Sequence, residues 1–171
     1  MQSRWTPAII PLVVFLLDRV SKVWIESRVS FYDTYVVIPG FFSIVHTQNK
    51  GAAFGILSEA SGTWRNVFLI GVSLAVMGFV AVLLIVSLRH TSSHSGWLRA
   101  GLALVLGGAL GNLWDRVLRG SVTDFLLFYA GQYQWPAFNV ADSAISVGAA
   151  FLLLDMLHEH RRASTGVPRV S

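Results

Sequence analysis

Cysteine is missing from all 171 residues. With it go structural disulfides, thiolate metal sites, a cysteine nucleophile and any anchoring of this chain through a lipidated cysteine. Charge is scarce as well: 13% of the residues are Asp, Glu, Lys or Arg against 54% hydrophobic, too few for an ordinary soluble domain of this length. The basic residues behind a sequence pI near 10 are scattered and form no patch interleaved with aromatics, which argues against a nucleic-acid partner. No internal repeat is visible.

What is present is a series of long apolar runs, and a mean hydropathy of +0.59 places the chain among multi-span membrane proteins. The run at 67–88 carries no charge over roughly the 20 residues that a bilayer core requires. Further spans are expected at about 5–24, 97–117 and 136–158, giving a mainly α, four-helix integral membrane domain over 1–171. The first run opens like a secretory signal but continues into Asp18-Arg-Val-Ser-Lys22 without a small-residue cleavage site, so it reads as a retained helix. All six tryptophans (Trp5, Trp24, Trp64, Trp97, Trp114 and Trp135) fall near the proposed borders, as interfacial belts require. Arg4, Arg89, Arg99, Arg161, Arg162 and Arg169 gather on one side, which favours cytoplasmic termini.

About forty residues separate the first two spans, too many for a plain connection. Thr34–Ile38 and 41–45 are β-branched and aromatic and flank Pro39-Gly40, which predicts two strands and a turn. With a short amphipathic helix at 52–59, this region, about 30–60, is expected to form a small extracytoplasmic β cap. The basic tail, 159–171, is expected to be disordered on the cytoplasmic side.

The polar residues inside the spans carry the chemistry. A carboxylate near hydrocarbon is costly and faces a protein interior or a watery cavity. Asp18 and Lys22 stand at i and i+4, suited to a structural ion pair. Gly108, Gly111, Asn112 and Asp115 share one helix face, and Asn139, Asp142, Ser143 and Ser146 share another. Gly107 and Gly111 form a small-xxx-small pair for close helix packing. Asp115 beside Arg116 serves either to hold helix ends or to touch substrate, and Asn49 before Lys50-Gly51 reads on spacing alone as a turn residue. Asp155 belongs to the cytoplasmic interface. The five histidines show no ligand spacing within a span, so neither metal nor cofactor is expected.

Asp124, expected in a loop just beyond the third span, and Asp142, near the start of the fourth, are candidates for an acid and base pair. Two carboxyl groups sharing a site hold one proton between them. One can activate water while the other polarises a scissile carbonyl. A proton relay in a small transporter or channel subunit, and a structural carboxylate, are the alternatives that polarity leaves open.

Five motifs then occur in order: Leu17-Asp-Arg-Val-Ser-Lys22, Asn49-Lys-Gly-Ala-Ala-Phe54, Gly107-Gly-Ala-Leu-Gly-Asn-Leu-Trp-Asp-Arg116, Gly120-Ser-Val-Thr-Asp-Phe125 and Pro136-Ala-Phe-Asn-Val-Ala-Asp-Ser-Ala-Ile145. In them the chain resembles the lipoprotein signal peptidases (signal peptidase II), bacterial membrane aspartyl proteases. The resemblance implies catalytic Asp124 and Asp142, substrate-site residues Asn49, Gly108, Asn112, Arg116 and Asn139, and structural support from Asp18, Lys22 and Asp115. Lys50 and Thr123 fall at positions where the family pattern is variable. It further implies a diacylglyceryl-modified prolipoprotein as substrate, cut on the amino side of the lipidated cysteine, and a bacterial inner membrane location with the active site on the periplasmic side. Contact with membrane lipid, inhibition by the cyclic peptide globomycin and a monomeric state are implied as well. The Gly-x-Gly-Asp signature of the presenilin and prepilin-peptidase group is absent.

Overall fold

Four helices and a four-stranded antiparallel sheet make up the computed structural model, which describes residues 6–31, 33–51, 63–89 and 95–164. In chain order they are α1 (Thr6–Arg28), β1 (Thr34–Ile38), β2 (Phe42–Asn49), α2 (Thr63–Arg89), α3 (Gly96–Arg119), β3 (Val122–Ala130), β4 (Tyr133–Gln134) and α4 (Val140–Ser164). Of these, α2 and the Val140–Arg161 part of α4 are long and apolar enough to cross a membrane. The short helix expected at 52–59 lies outside the described residues.

The helices are apolar on the outside. In α1, Leu12, Leu16, Val20 and Val23 are exposed while Asp18 and Lys22 are fully buried. In α2, Val67, Phe68, Phe79 and Val82 point outward. Such a surface is costly in water and natural in hydrocarbon. It also explains why α1 and α3 fall short of a span on hydropathy: both turn charged groups inward.

The centre is α3, which packs against α1, α2 and α4. Val80 and Leu84 of α2 close on Leu102 and Ala103 of α3. A second cluster, Ile25 and Val29 of α1 with Phe125 of β3, fastens the sheet to the end of the bundle. Without a hydrophobic drive between helices in lipid, close contact has to come from small residues. Gly107 and Gly111 both meet α1, at Pro11 and Asp18, and Gly111 also touches Ala141 of α4.

Four expectations are corrected here. The helix α1 runs to Arg28, four residues past the expected border. Expected as disordered, 159–164 continue α4, since Glu, Arg and Ala are strong helix formers. Pro136, Ala137 and Phe138 precede α4 instead of belonging to it, held extended by a bridge between Phe138 and Leu126. The cap has four strands, because β2 pairs with β3, so that Asp124 lies within a strand and not in a loop. That pairing joins Thr47 to Asp124 across the whole of α2 and α3, and no local turn announces it.

Candidate active site

The strand β3 begins where α3 must stop. Gly120 takes a left-handed φ of 72° and returns its N–H to the Arg116 carbonyl, a helix-ending geometry open to glycine without strain. Val122, Thr123 and Asp124 then enter the sheet opposite Asn49, Gln48 and Thr47. The register sets Asn49 beside the first carboxylate: its Nδ2 donates to Asp124 Oδ2 at 3.0 Å. The other end of the same amide makes a local turn, Oδ1 accepting from the Gly51 N–H at 2.9 Å. Asn49 is thus both the turn residue and a partner of Asp124.

The second carboxylate is built into the start of α4. Asn139 Oδ1 accepts from the Asp142 N–H at 2.9 Å, and Asp142 Oδ2 accepts from the Asn139 N–H at 3.3 Å. This is the reciprocal capping box, with Asp at the third helical position. The Asn139 Nδ2 group then reaches across to Asp124 Oδ1 at 2.6 Å. One asparagine therefore links both aspartates.

From α3, Asn112 Nδ2 donates to Asp142 Oδ1 at 2.7 Å. This reach requires α3 and α4 to touch at backbone level. A Cβ on Gly108 would come within 2.4 Å of the Ala141 carbonyl oxygen, and one on Gly111 within 2.6 Å of an Asp18 carboxylate oxygen. Gly108 therefore serves as the contact that lets Asn112 reach Asp142.

Asp124 is almost completely buried, whereas Asp142 borders a cavity of about 800 Å³. That cavity lies between α2, α3, α4 and the 135–138 segment, lined by apolar groups such as Val72, Val76, Trp135 and Ile145, with Asn49, Asn112, Arg116, Ser143 and Ser146 among them. Burial, reinforced by the neighbouring Asp142 charge, pushes the Asp124 carboxyl up to about 7, against the opposing hydrogen bonds from Asn49 and Asn139. A proton held there near neutral pH beside a second carboxylate is the arrangement an acid and base pair needs. Among the described residues no three His, Cys, Asp or Glu side chains group as metal ligands.

Of the residues singled out from sequence, Asn49, Asn112, Asp124, Asn139 and Asp142 meet in one hydrogen-bonded network. Arg116 lines the cavity and donates to the Gly51 carbonyl at 3.3 Å. Asp18, Lys22 and Asp115 form a buried ion cluster next to the network. The expected polar stripe of α4 divides: Asp142, Ser143 and Ser146 face the cavity, while Asn139 is fully buried and turned toward Asp124. Thr123, at a position where the family pattern is variable, is fully buried, donating to Glu26 and accepting from Gln48. Its partners lie 97 and 75 residues away, beyond any local signal.

A family model described as signal peptidase (SPase) II matches residues 10–158. The lipoprotein signal peptidase of Solibacter usitatus is 47% identical over 161 residues, 94% of this chain and 96% of its own. That of Pseudomonas aeruginosa strain PAO1 is 44% identical, covering 89% of this chain and 88% of its own. A solved bacterial membrane enzyme superposes with a TM-score of 0.74 at 29% identity, covering 91% of this chain and 89% of that one. A second gives 0.73 at 31% identity, covering 89% and 92%.

Proposed function

The chain belongs to the signal peptidase II family, and on that premise we propose that it removes signal peptides from diacylglyceryl-modified prolipoproteins by aspartyl chemistry. The observation that carries this reading is the placement of Asp124 and Asp142 on the two sides of Asn139, one buried with its carboxyl pushed up to about 7, the other bordering an apolar cavity.

In the mechanism, a water held between the carboxyl groups attacks the carbonyl carbon of the residue preceding the lipidated cysteine. Asp142 takes the proton from that water, and the Asp124 proton polarises the carbonyl oxygen. As the tetrahedral intermediate collapses, the C–N bond breaks and the cysteine nitrogen takes a proton from the pair. The signal peptide leaves with a new carboxylate and the lipoprotein keeps a free amino group. Asn49, Asn112 and Asn139 orient the carboxyl groups, while Arg116 and the cavity wall receive the peptide.

All four helices cross the bacterial inner membrane in this reading, with cytoplasmic termini and the sheet on the periplasmic side. The inward charges of α1 and α3 account for their low hydropathy. The substrate enters from the bilayer, globomycin competes for the same cavity, and the monomer suffices. Family membership favours this peptidase over a proton relay.

The test is cleavage of a lipidated precursor in detergent or lipid by Asp124→Asn and Asp142→Asn. Loss of turnover in both folded variants supports the dyad; near wild-type turnover in either one refutes it. Strong inhibition by EDTA would instead point to metal chemistry.

A further inference from the structure

Lys22 is fully buried and touches neither aspartate of the pair in any hydrogen bond or ion pair, yet it is one step from Asp142. Its ammonium is ion-paired at 2.8 Å with Asp18 Oδ2 and at 2.8 Å with Asp115 Oδ2, and Arg19 also pairs with Asp115. Two carboxylates and two cations leave the cluster with no net charge. Lys22 also donates to Asn112 Oδ1 at 3.2 Å. Asn139 Nδ2 approaches the same oxygen at 3.3 Å.

Those donors fix which end of the Asn112 amide is which. An amide has one accepting end and one donating end. A lysine ammonium can only donate, so Asn112 must turn its oxygen to Lys22 and its nitrogen to Asp142, as the 2.7 Å contact has it. Asp18 works on the backbone in parallel, its Oδ1 accepting from the Ala141 N–H at 3.1 Å, in the first turn of the helix that carries Asp142.

Resting on the peptidase reading, we infer that Lys22 is a positioning residue for Asp142, acting through the polarity of the Asn112 side-chain amide. The ion cluster is then the device that aims the pair, beyond its part in holding α1 in the bundle.

The test is a mutant cycle on the full-length protein. Lys22→Met alone leaves two carboxylates against one cation, so it is combined with Asp18→Asn, which restores neutrality and keeps an oxygen for the Ala141 N–H. In this double variant kcat should fall about 100-fold, the cost of a small misplacement at the reacting groups, with KM within about 3-fold. In an Asn112→Ala background the same pair of changes should lower kcat by less than about 3-fold, because coupled residues are not additive. A full and equal loss in both backgrounds would overturn the inference.

A second measurement does not depend on turnover. With nitrogen-15 asparagine, the Asn112 side-chain amide should shift in the Lys22→Met/Asp18→Asn variant as its hydrogen bond to Asp142 is released. An unchanged Asn112 resonance would overturn the positioning role even if no cleavage were ever detected. Retained cleavage in Asp142→Asn would refute the peptidase dyad without moving that resonance argument.

Discussion

Two sets of carboxylates lie side by side in this protein and are treated in opposite ways. Asp18 and Asp115 are ion-paired to Lys22, and Asp115 also to Arg19. Asp124 and Asp142 receive amide donors instead, from Asn49, Asn112 and Asn139. A paired ammonium occupies a carboxylate and fixes its place, at a desolvation cost that makes the cluster a device of geometry more than of stability. Neutral amides orient a carboxylate while leaving its proton exchangeable. The two sets are one helical turn apart on α3, where Asn112 serves the pair and Asp115 the cluster. Charge holds the bundle, and dipoles hold the pair proposed to react.

The comparison is broken most severely at the pair itself. Asp142→Asn keeps an oxygen for the Asn139 N–H but turns its amide nitrogen toward Asn112 Nδ2, losing that hydrogen bond, and it removes the proposed base. Cleavage of a lipidated precursor should fall by about 1,000-fold or more, at a stability cost of about 1 kcal/mol for the lost hydrogen bond. Removing a cation from the other set should cost stability as well as turnover. Lys22→Met leaves Asp18 and Asp115 against Arg19 alone and should destabilise the folded protein by about 3–5 kcal/mol, read as a lowered unfolding temperature in detergent.

The contact that lets one α3 turn serve both sets can be tested by size alone. Gly108→Ala forces a methyl group toward the Ala141 carbonyl, 2.4 Å away by backbone geometry, and the helices must separate. Overpacking of this kind costs about 1–3 kcal/mol, and turnover should fall with it as Asn112 loses its reach to Asp142.

The smallest effect sharpens the role of the amides. Asp124 holds its proton up to about 7, so kcat/KM should decline as pH rises through that value. Asn49 donates to the ionised form and lowers the pKa; Asn49→Ala therefore raises it and moves the alkaline limb to higher pH. A limb that stays in place or moves down would remove Asn49 from this role. The same raised value predicts a stability contribution that is full below the ordinary carboxylate range. It is lost as pH rises through about 7, where the buried group must ionise.

The helix-borne part of the site was readable in advance. Asp18 and Lys22 announced their pair by spacing, and Asp142 its inward face by the company of Ser143 and Ser146. Asn139 reads as polar and inward but as part of the helix, because Pro136 to Phe138 look like a helix entry until their extended bridge to Leu126 is known. Asp124 and Thr123 were harder. Their run, Val122–Ala130, turns locally into β4, but the strand that seats Asp124 is β2, some seventy residues earlier in the chain.

The sequence by itself determined the solvent, the helices and the chemical types available: apolar runs demand hydrocarbon, and with cysteine absent the polar groups within them are carboxylates, amides, hydroxyls and basic groups. Only the tertiary structure decided which carboxylates are ion-paired and which meet amides. That choice depends on distances of about 3 Å between elements remote in sequence, set by glycines that let α1, α3 and α4 close and by a strand register that carries Asn49 to Asp124.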